Sequence, residues 1–435
     1  MKAKSEKYQP GERHGCLLID EIALESRTFF DSNTCQVHGL VDLGGFEGEA
    51  DRDKRGDHAL VVVFQPFKGQ WVQCLGAFLR CRAVKSDKLH KIIIEAIGLT
   101  ENSGFFVDCI FTDAATWNRS MWDLLGINQL SPSCEHPVDS SRELRFASDF
   151  PHLMKSLWTR MLDKKELKLP EGIVTLSHWK ARLTLEETKG IKGVFSLKRD
   201  HIEPTNYQKM KVRLALQFFG GRVADGMQHY MRLGVPDLQD AGPTIQFIRR
   251  INDVVDAMNS QLPFQALKPD PDSKYHKVLL QFLSYLETIN QMAKEKYDSV
   301  HRGRKPKPRK PWQPFVKYDD KMTTKVWLGL VVTIKNALSL VNYLAKDCHY
   351  LNLMTRRINQ DSLEHFFGHI RGACGSNQHP DPRLFVNIYR LLMTYSRIKP
   401  PRGSNVTGGQ VMDALELLRN ERFKRRGGQE TETRG

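Results

Sequence analysis

The sequence predicts an α/β fold, a mixed sheet with covering helices interrupted by a large all-α insertion. Three observations lead there. Runs rich in β-branched and aromatic residues, of strand length, crowd the first 150 residues. Helical periodicity then alternates with such runs, the pattern of a sheet covered on its faces. After about residue 173 the strand signals fade and long amphipathic patterns take over.

Residues 16–24 (CLLIDEIAL), 35–43 (CQVHGLVDL), 58–67 (HALVVVFQPF) and 70–79 (QWVQCLGAFL) read as strands. Turn signals such as Asp31-Ser32-Asn33 and Gly69 separate them, and three strands in close succession suggest an antiparallel meander at the start of a sheet. Residues 87–98 place Leu89, Ile92, Ile93 and Ile97 on one helical face. A strand at 105–112 (FFVDCIFT), a helix at 116–125 and a strand at 143–148 follow. The next helix begins near Pro151, a residue suited to a first turn. Helices are then expected over 208–231, 244–260, 274–296 and 325–345, with linkers at 268–273 (KPDPDS) and 302–311 (RGRKPKPRKP). A last helix starts near Asn359, and beyond Gly403 the chain is glycine-rich, then basic and polar. The divisions fall at residues 1–172, 173–355 and 356–435.

Composition narrows the function. The chain has 435 residues, 40% of them hydrophobic, enough to bury a large core and to exclude global disorder. A net charge of +15 favours polyanions, nucleic acid or an anionic membrane surface, without choosing between them. The polar first residues are no secretory signal peptide. The apolar stretch 326–334 is interrupted by Lys335, short of the roughly 20 residues a membrane span needs. Eight cysteines without a CxxC pair argue against a disulfide scaffold or a zinc finger and fit reduced thiols in cytosol or nucleus.

Three carboxylates stand out. Asp20 lies inside an apolar strand, where an uncompensated charge costs several kcal/mol unless it faces an edge or a cation; Glu21 faces the other side. Asp113 ends the strand FFVDCIFT, where open α/β sheets place ligand-binding groups; a plain helix N-cap is the other reading. Glu364 shares a helical face with Asp361, and His365 and His369 have a metal-ligand spacing, but no HExxH is present. A solvated acidic helix face is the alternative for Glu364. Taken together, a mid-strand Asp, a strand-end Asp and a helical Glu suit two divalent cations that clamp the attacking and leaving oxygens of a phosphodiester. Hard oxygen ligands select Mg²⁺ or Mn²⁺.

The segments LLIDEIAL, GLVDLGG, FTDAATWNRSMWDLLGI, DFPHLMKSLW, KMKVRLALQFF and INQDSLEHFFGHIRG occur in this order. From about residue 16 to 392 the chain thereby resembles the P-element transposase family with its THAP-type relatives. That resemblance implies an RNase H-like catalytic domain over 1–172 and 356–435, and a helical GTP-binding insertion over 173–355. It implies an Asp-Asp-Glu triad at Asp20, Asp113 and Glu364, which would hold the metal. It also implies a GTP site, without a P-loop, at Lys211, Val212, Asp256, Asn259 and Asp361, with Lys198 more loosely matched. The implied activity is metal-dependent DNA strand cleavage and strand transfer, cut-and-paste transposition of transposon ends into target DNA. The implied setting is the nucleus, with room for a homo-oligomer and no membrane. Two departures are expected to matter. Gly220-Gly221 stand where relatives carry serine, and no Cys/His spacing supplies the family's amino-terminal zinc DNA-binding domain. A transposon-derived nuclear protein that binds DNA or a partner without catalysis, or an inactive relic, are the competing readings.

Other residues carry two readings each. Asp149 and His152 match a family segment beside the active site, where His152 would meet DNA or a metal-bound water, or serve as a buried structural histidine. The basic run 302–310 and the cluster Arg422, Lys424, Arg425 and Arg426 would bind phosphate or direct nuclear import, or are solvated linkers. Trp117 and Trp122 read as packing residues.

Overall fold

The computed structural model describes residues 1–32, 35–69, 71–82, 84–113, 115–189, 197–301, 312–318, 322–375 and 377–397. Both basic clusters fall outside them. A single turn, α1 (Lys2–Ser5), precedes β1 (His14–Ala23). Next come β2 (Phe29–Asp31), β3 (Gln36–His38), α2 (Glu49–Arg52), β4 (His58–Pro66) and β5 (Gln73–Arg80). The alternating part is α3 (Ser86–Asn102), β6 (Phe106–Thr112), α4 (Thr116–Leu124), β7 (Ser133–Glu135), β8 (Glu143–Ser148) and α5 (Phe150–Lys164). Six of these strands form one mixed sheet in the order β5-β4-β1-β6-β8-β7. The α/β class read from the sequence is the observed one.

The meander is not. Residues 36–38 pair with 29–31 as a separate two-stranded hairpin, Phe29 opposite His38 and Asp31 opposite Gln36. Beyond it, Leu40 and Asp42 make only isolated bridges, to Arg55 and Leu79. The run 35–43 is therefore too broken to enter the sheet, and β4 takes the place beside β1.

The chain clusters into two compact units. The second comprises Leu18–Gln65, Gln70–Ala96 and Gln360–Gly435. It contains the antiparallel pair β4–β5 and two closing helices, α13 (Asp361–Ala373) and α14 (Pro382–Arg397). Here α14 packs on β5 and α13, and the Cys74 thiol lies 3.5 Å from the Tyr389 hydroxyl.

The first unit comprises Met1–Leu17, Pro66–Gly69 and Ile97–Asn359. In it β6 and β8 run parallel, from Cys109 opposite Arg145 to Thr112 opposite Ser148. The short β7 covers β8 only from Glu143 to Arg145, so the outer edge of residues 146–148 has no strand partner. Unpaired backbone groups there would be costly. They are answered by side chains of α12 (Thr324–Cys348). Asn336 Nδ2 donates to the carbonyl oxygens of Phe146 at 2.6 Å and Pro132 at 2.7 Å. The Ser148 N–H donates to Thr333 Oγ1 at 2.9 Å, and Arg145 Nε to Ser339 Oγ at 2.9 Å. Residues 333, 336 and 339 share one helical face by their spacing of three. Over its full length α12 is long and apolar enough to cross a membrane, more so than the interrupted stretch 326–334 suggests. It packs instead against β8, α5 and α11 (Lys274–Val300), with Trp327, Leu330, Ile334 and Val341 buried.

Between β8 and α12 the chain is mostly helical, with one exception the sequence did not reveal. A hairpin, β9 (Glu166–Leu169) and β10 (Gly172–Thr175), precedes α6 (Leu176–Lys189). The helix expected over 208–231 is three pieces: α7 (Asn206–Lys209), α8 (Val212–Phe218) and α9 (Gly221–Arg232). The last break falls at Gly220, whose backbone is extended (φ −68°, ψ 143°). The next helix, α10 (Gly242–Met258), packs between α9 and α11, while α8 lies on α5. α6 contributes a buried Arg182–Glu186 ion pair at 2.8 Å. Gly226 of α9 makes room for it, since a Cβ there would stand 2.5 Å from Arg182 Nε.

One charged network is buried in the first unit. Asp108, fully buried in the middle of β6, accepts from His14 Nδ1 at 2.8 Å and Arg142 Nη2 at 2.9 Å. Arg142 also binds Glu101 through Nη1, at 3.0 and 3.1 Å. Burial alone would lower the pKa of His14, but the Asp108 carboxylate, aided by Cys348, raises it to about 9. Arg142, Tyr343 and Cys348 complete the polar surroundings of this pair. With a folded value above the ordinary 6.5, the protonated pair contributes fully below about pH 6.5, and its contribution is lost as pH rises through about 9. Denaturant unfolding from pH 6 to 10 is expected to show a loss of roughly 3 kcal/mol that His14→Gln abolishes. An unchanged slope in that variant would remove His14 as its source.

Candidate active site

In the second unit Asp20 sits half-buried on β1, its Oδ1 accepting the Glu21 N–H at 2.8 Å. Glu21 itself forms an ion pair with Arg80, consistent with the opposite facing of the two acids. The carbonyl of Ile19, next to Asp20, accepts the Gln360 side-chain amide at 2.7 Å. Gln360 is fully buried and is the residue from which α13 starts; its own carbonyl accepts the Glu364 N–H at 2.9 Å. One side chain thus ties the strand of Asp20 to the first turn of the helix bearing Asp361 and Glu364. Carboxylates are favoured there by the helix dipole. Glu364 is exposed and Asp361 half-buried.

Asp113 falls in the first unit, directly after β6. It is not the N-cap of α4: that residue is Ala115, which has no side-chain cap. The Asp113 Oδ1 accepts the Ala115 N–H at 2.9 Å and Asn118 Nδ2 at 2.6 Å. Its Oδ2 accepts no bond from any described residue. Beside it, Arg119 stacks over the Trp122 ring at 3.9 Å and donates to Ser148 Oγ at 2.7 Å. Desolvation lowers the Arg119 pKa to about 10 against the opposing fields of Asp113 and Asp123, so it stays charged at neutral pH. Gly329 of α12 makes space for this guanidinium: a Cβ at that position would lie 2.6 Å from Arg119 Nη2. Trp122 is buried edge-on to Phe146, a packing role as expected.

Asp149, buried after β8, caps α5 by accepting the His152 N–H at 3.0 Å, and its own N–H donates to the Thr112 carbonyl at 3.0 Å. His152 is half-buried in the first turn of α5. Among the described residues no three Asp, Glu, His or Cys side chains gather closely enough to hold a metal ion.

Of the nucleotide-site candidates, five lie in the first unit. Lys211 is exposed at the N-cap of α8, its Nζ 4.7 Å above the Tyr207 ring, and Val212 is the first residue of that helix. Lys198 caps a 3₁₀ turn, Arg199–His201, that packs on α8. There His201 Nε2 lies 3.1 Å from Gln217 Oε1. Asp256 and Asn259 stand at the C-terminal end of α10. Asn252 connects them to the Gly220 break: its Oδ1 accepts the Gly221 N–H at 2.8 Å and its Nδ2 donates to Asp256 at 3.2 Å. Partial burial, then the neighbouring Asp253, raise the Asp256 pKa although the residue stands at the surface. Asp361 belongs to the second unit.

An RNase H-like sheet split by a helical insertion is the class these features define. Three models of one family match in chain order: the TNP-like RNase H N-terminal domain over residues 1–126, the TNP-like GTP-binding insertion domain over 151–270, and the TNP-like RNase H C-terminal domain over 357–390. Together they cover more than half of the chain, which belongs to the TNP-like family. The Transposable element P transposase of Drosophila melanogaster is 25% identical over 385 residues, 87% of this chain and 47% of that protein. DNA transposase THAP9 of Homo sapiens is 24% identical over 398 residues, 87% of this chain and 40% of that protein. The chain spans less than half the length of either. The Drosophila P element transposase strand transfer complex shares the fold with a TM-score of 0.72 at 23% identity, over 92% of this chain and 80% of that one.

Sequence reasoning passed over Gln360, Asn118 and Asn252, which orient the candidate residues. A lone amide carries no pattern that distinguishes it from a surface residue. Asn252→Ala is expected to destabilise the protein by about 1 kcal/mol, as loss of a helix-terminal acceptor does. Denaturant unfolding measures it, and an unchanged midpoint would mean that solvent replaces the amide.

Proposed function

We propose that the chain is the catalytic core of a DNA transposase, carrying out metal-dependent strand cleavage and strand transfer in cut-and-paste transposition. The observation that carries this reading is the ordered match of all three TNP-like domains to a chain with acids at each triad position. Asp20, Asp113 and Glu364 offer only hard oxygens, and the open Oδ2 of Asp113 suits a divalent cation. They would hold Mg²⁺ or Mn²⁺. Bound there, the ion supplies Lewis-acid stabilisation of the in-line displacement at phosphorus. Gln360 sets the helix of Glu364 against the strand of Asp20, and Asn118 and the Ala115 N–H fix one oxygen of Asp113. The net charge of +15 supports a backbone-gripping surface for transposon-end and target DNA, giving affinity without sequence choice.

GTP would bind in the insertion as an assembly cofactor that is not hydrolysed. Lys198 and Lys211 would meet phosphate, Asp256 would accept two hydrogen bonds from the guanine edge, and Val212, Asn259 and Asp361 would complete the site. The protein would act in the nucleus, with room for a homo-oligomer.

The test is a nicking assay on transposon-end DNA with Mg²⁺ and GTP. Asp20→Asn, Asp113→Asn and Glu364→Gln are each expected to lower cleavage at least about a hundredfold while DNA binding persists. Cleavage surviving all three would end the triad assignment. DNA binding without cleavage by any version, including one fused to a DNA-reading domain, would favour a binding protein. Asp256→Ala is expected to weaken GTP at least about tenfold by equilibrium titration; equal affinity would remove Asp256 from the site.

A further inference from the structure

Asn118 is 1% exposed, yet only one end of its amide is used. Nδ2 donates to Asp113 Oδ1 at 2.6 Å and approaches the Asp113 carbonyl at 3.4 Å. Its own Oδ1 is buried and accepts nothing from any described residue. An unpaired buried acceptor costs about 1–3 kcal/mol, so packing gives no reason for an amide here. A leucine would fill similar space, and as a better helix former would suit α4. The orientation is dictated by chemistry, because the flipped amide would turn its oxygen toward a carboxylate.

The neighbourhood repeats the pattern. Buried polar atoms without a partner fall on both sides of Asp113: Thr112 Oγ1, Arg119 Nε and Nη1, and Trp122 Nε1.

The geometry points to Asn118 as a positioning residue for Asp113, holding Oδ1 so that Oδ2 faces a divalent cation. This rests on the reading of Asp113 as a metal ligand. A neutral donor fits that task better than a cation. It stops rotation of the carboxylate without neutralising the charge that attracts the metal, whereas Arg119, already committed to Ser148 and Trp122, supplies a fixed field.

Calorimetric titration of Mn²⁺ into the full chain tests it, with wild type, Asp113→Asn, Asn118→Ala and Asn118→Leu measured beside their thermal unfolding. Asp113→Asn is expected to abolish a Mn²⁺ site, and both Asn118 variants to weaken it about 10- to 100-fold, the usual effect of losing a partner that orients a ligand. Asn118→Leu keeps the buried volume and serves if the alanine variant unfolds. Should Asp113→Asn lose Mn²⁺ while a folded Asn118 variant binds within twofold of wild type, Asn118 is structural only and the inference is overturned. Should Asp113→Asn bind as wild type, the metal-ligand reading of Asp113 falls, and the role of Asn118 with it.

Discussion

The unpaired edge of β8 is the constraint around which the first unit is built. Three residues of strand, 146–148, lack a neighbouring strand on one side. Their backbone groups are satisfied by Asn336 and Thr333, nearly two hundred positions later in the chain. A helix that does this must be apolar enough to pack on a sheet and polar at a spacing of three. α12 is both, which explains why a helix with the hydropathy of a membrane span carries Thr333, Asn336 and Ser339 along one side. Everything between β8 and α12 is a loop in the topological sense, anchored at both ends to the same edge. That is why the insertion and one half of the sheet cluster as a single compact unit.

The class of fold was legible because strand and helix periods are local. Most strands and helices lie close to where hydrophobic spacing puts them. The failures have physical causes. Residues 35–43 carry strand-like composition, but 36–38 pair with 29–31 while 40 and 42 only bridge to Arg55 and Leu79. The interruption at Gly220 is invisible to amphipathic spacing, since the apolar stripe continues through it, and the break is stabilised by Asn252 from another helix. Asp108 looks like one polar letter in an apolar strand. Its partners, His14 and Arg142, come from opposite sides in sequence, and no window contains all three.

The candidate residues were found more readily than the residues that orient them. A carboxylate in an apolar strand announces itself through the cost of burying it. An amide that holds a carboxylate announces nothing, because its value depends on an angle. Asp113 illustrates the difference. Sequence left it between cap and ligand; the cap position belongs to Ala115, and the Asp113 carboxylate instead accepts the Ala115 N–H and the Asn118 amide. The same holds for Gln360, whose bond to Ile19 joins two segments far apart in the chain.

Gly329 carries a last implication. It is a residue of α12, far along the chain from α4, yet the absence of its side chain defines the space in which the Arg119 guanidinium lies beside Asp113. A larger residue at 329 would meet both the Arg119 guanidinium and the Leu153 side chain, so the fit of α12 here depends on two other elements at once. The helix is consequently not an exchangeable part. A graft from a distant relative would carry its own residue at this contact, and the recipient's sheet would have to inherit the matching partner before it could accept the new helix.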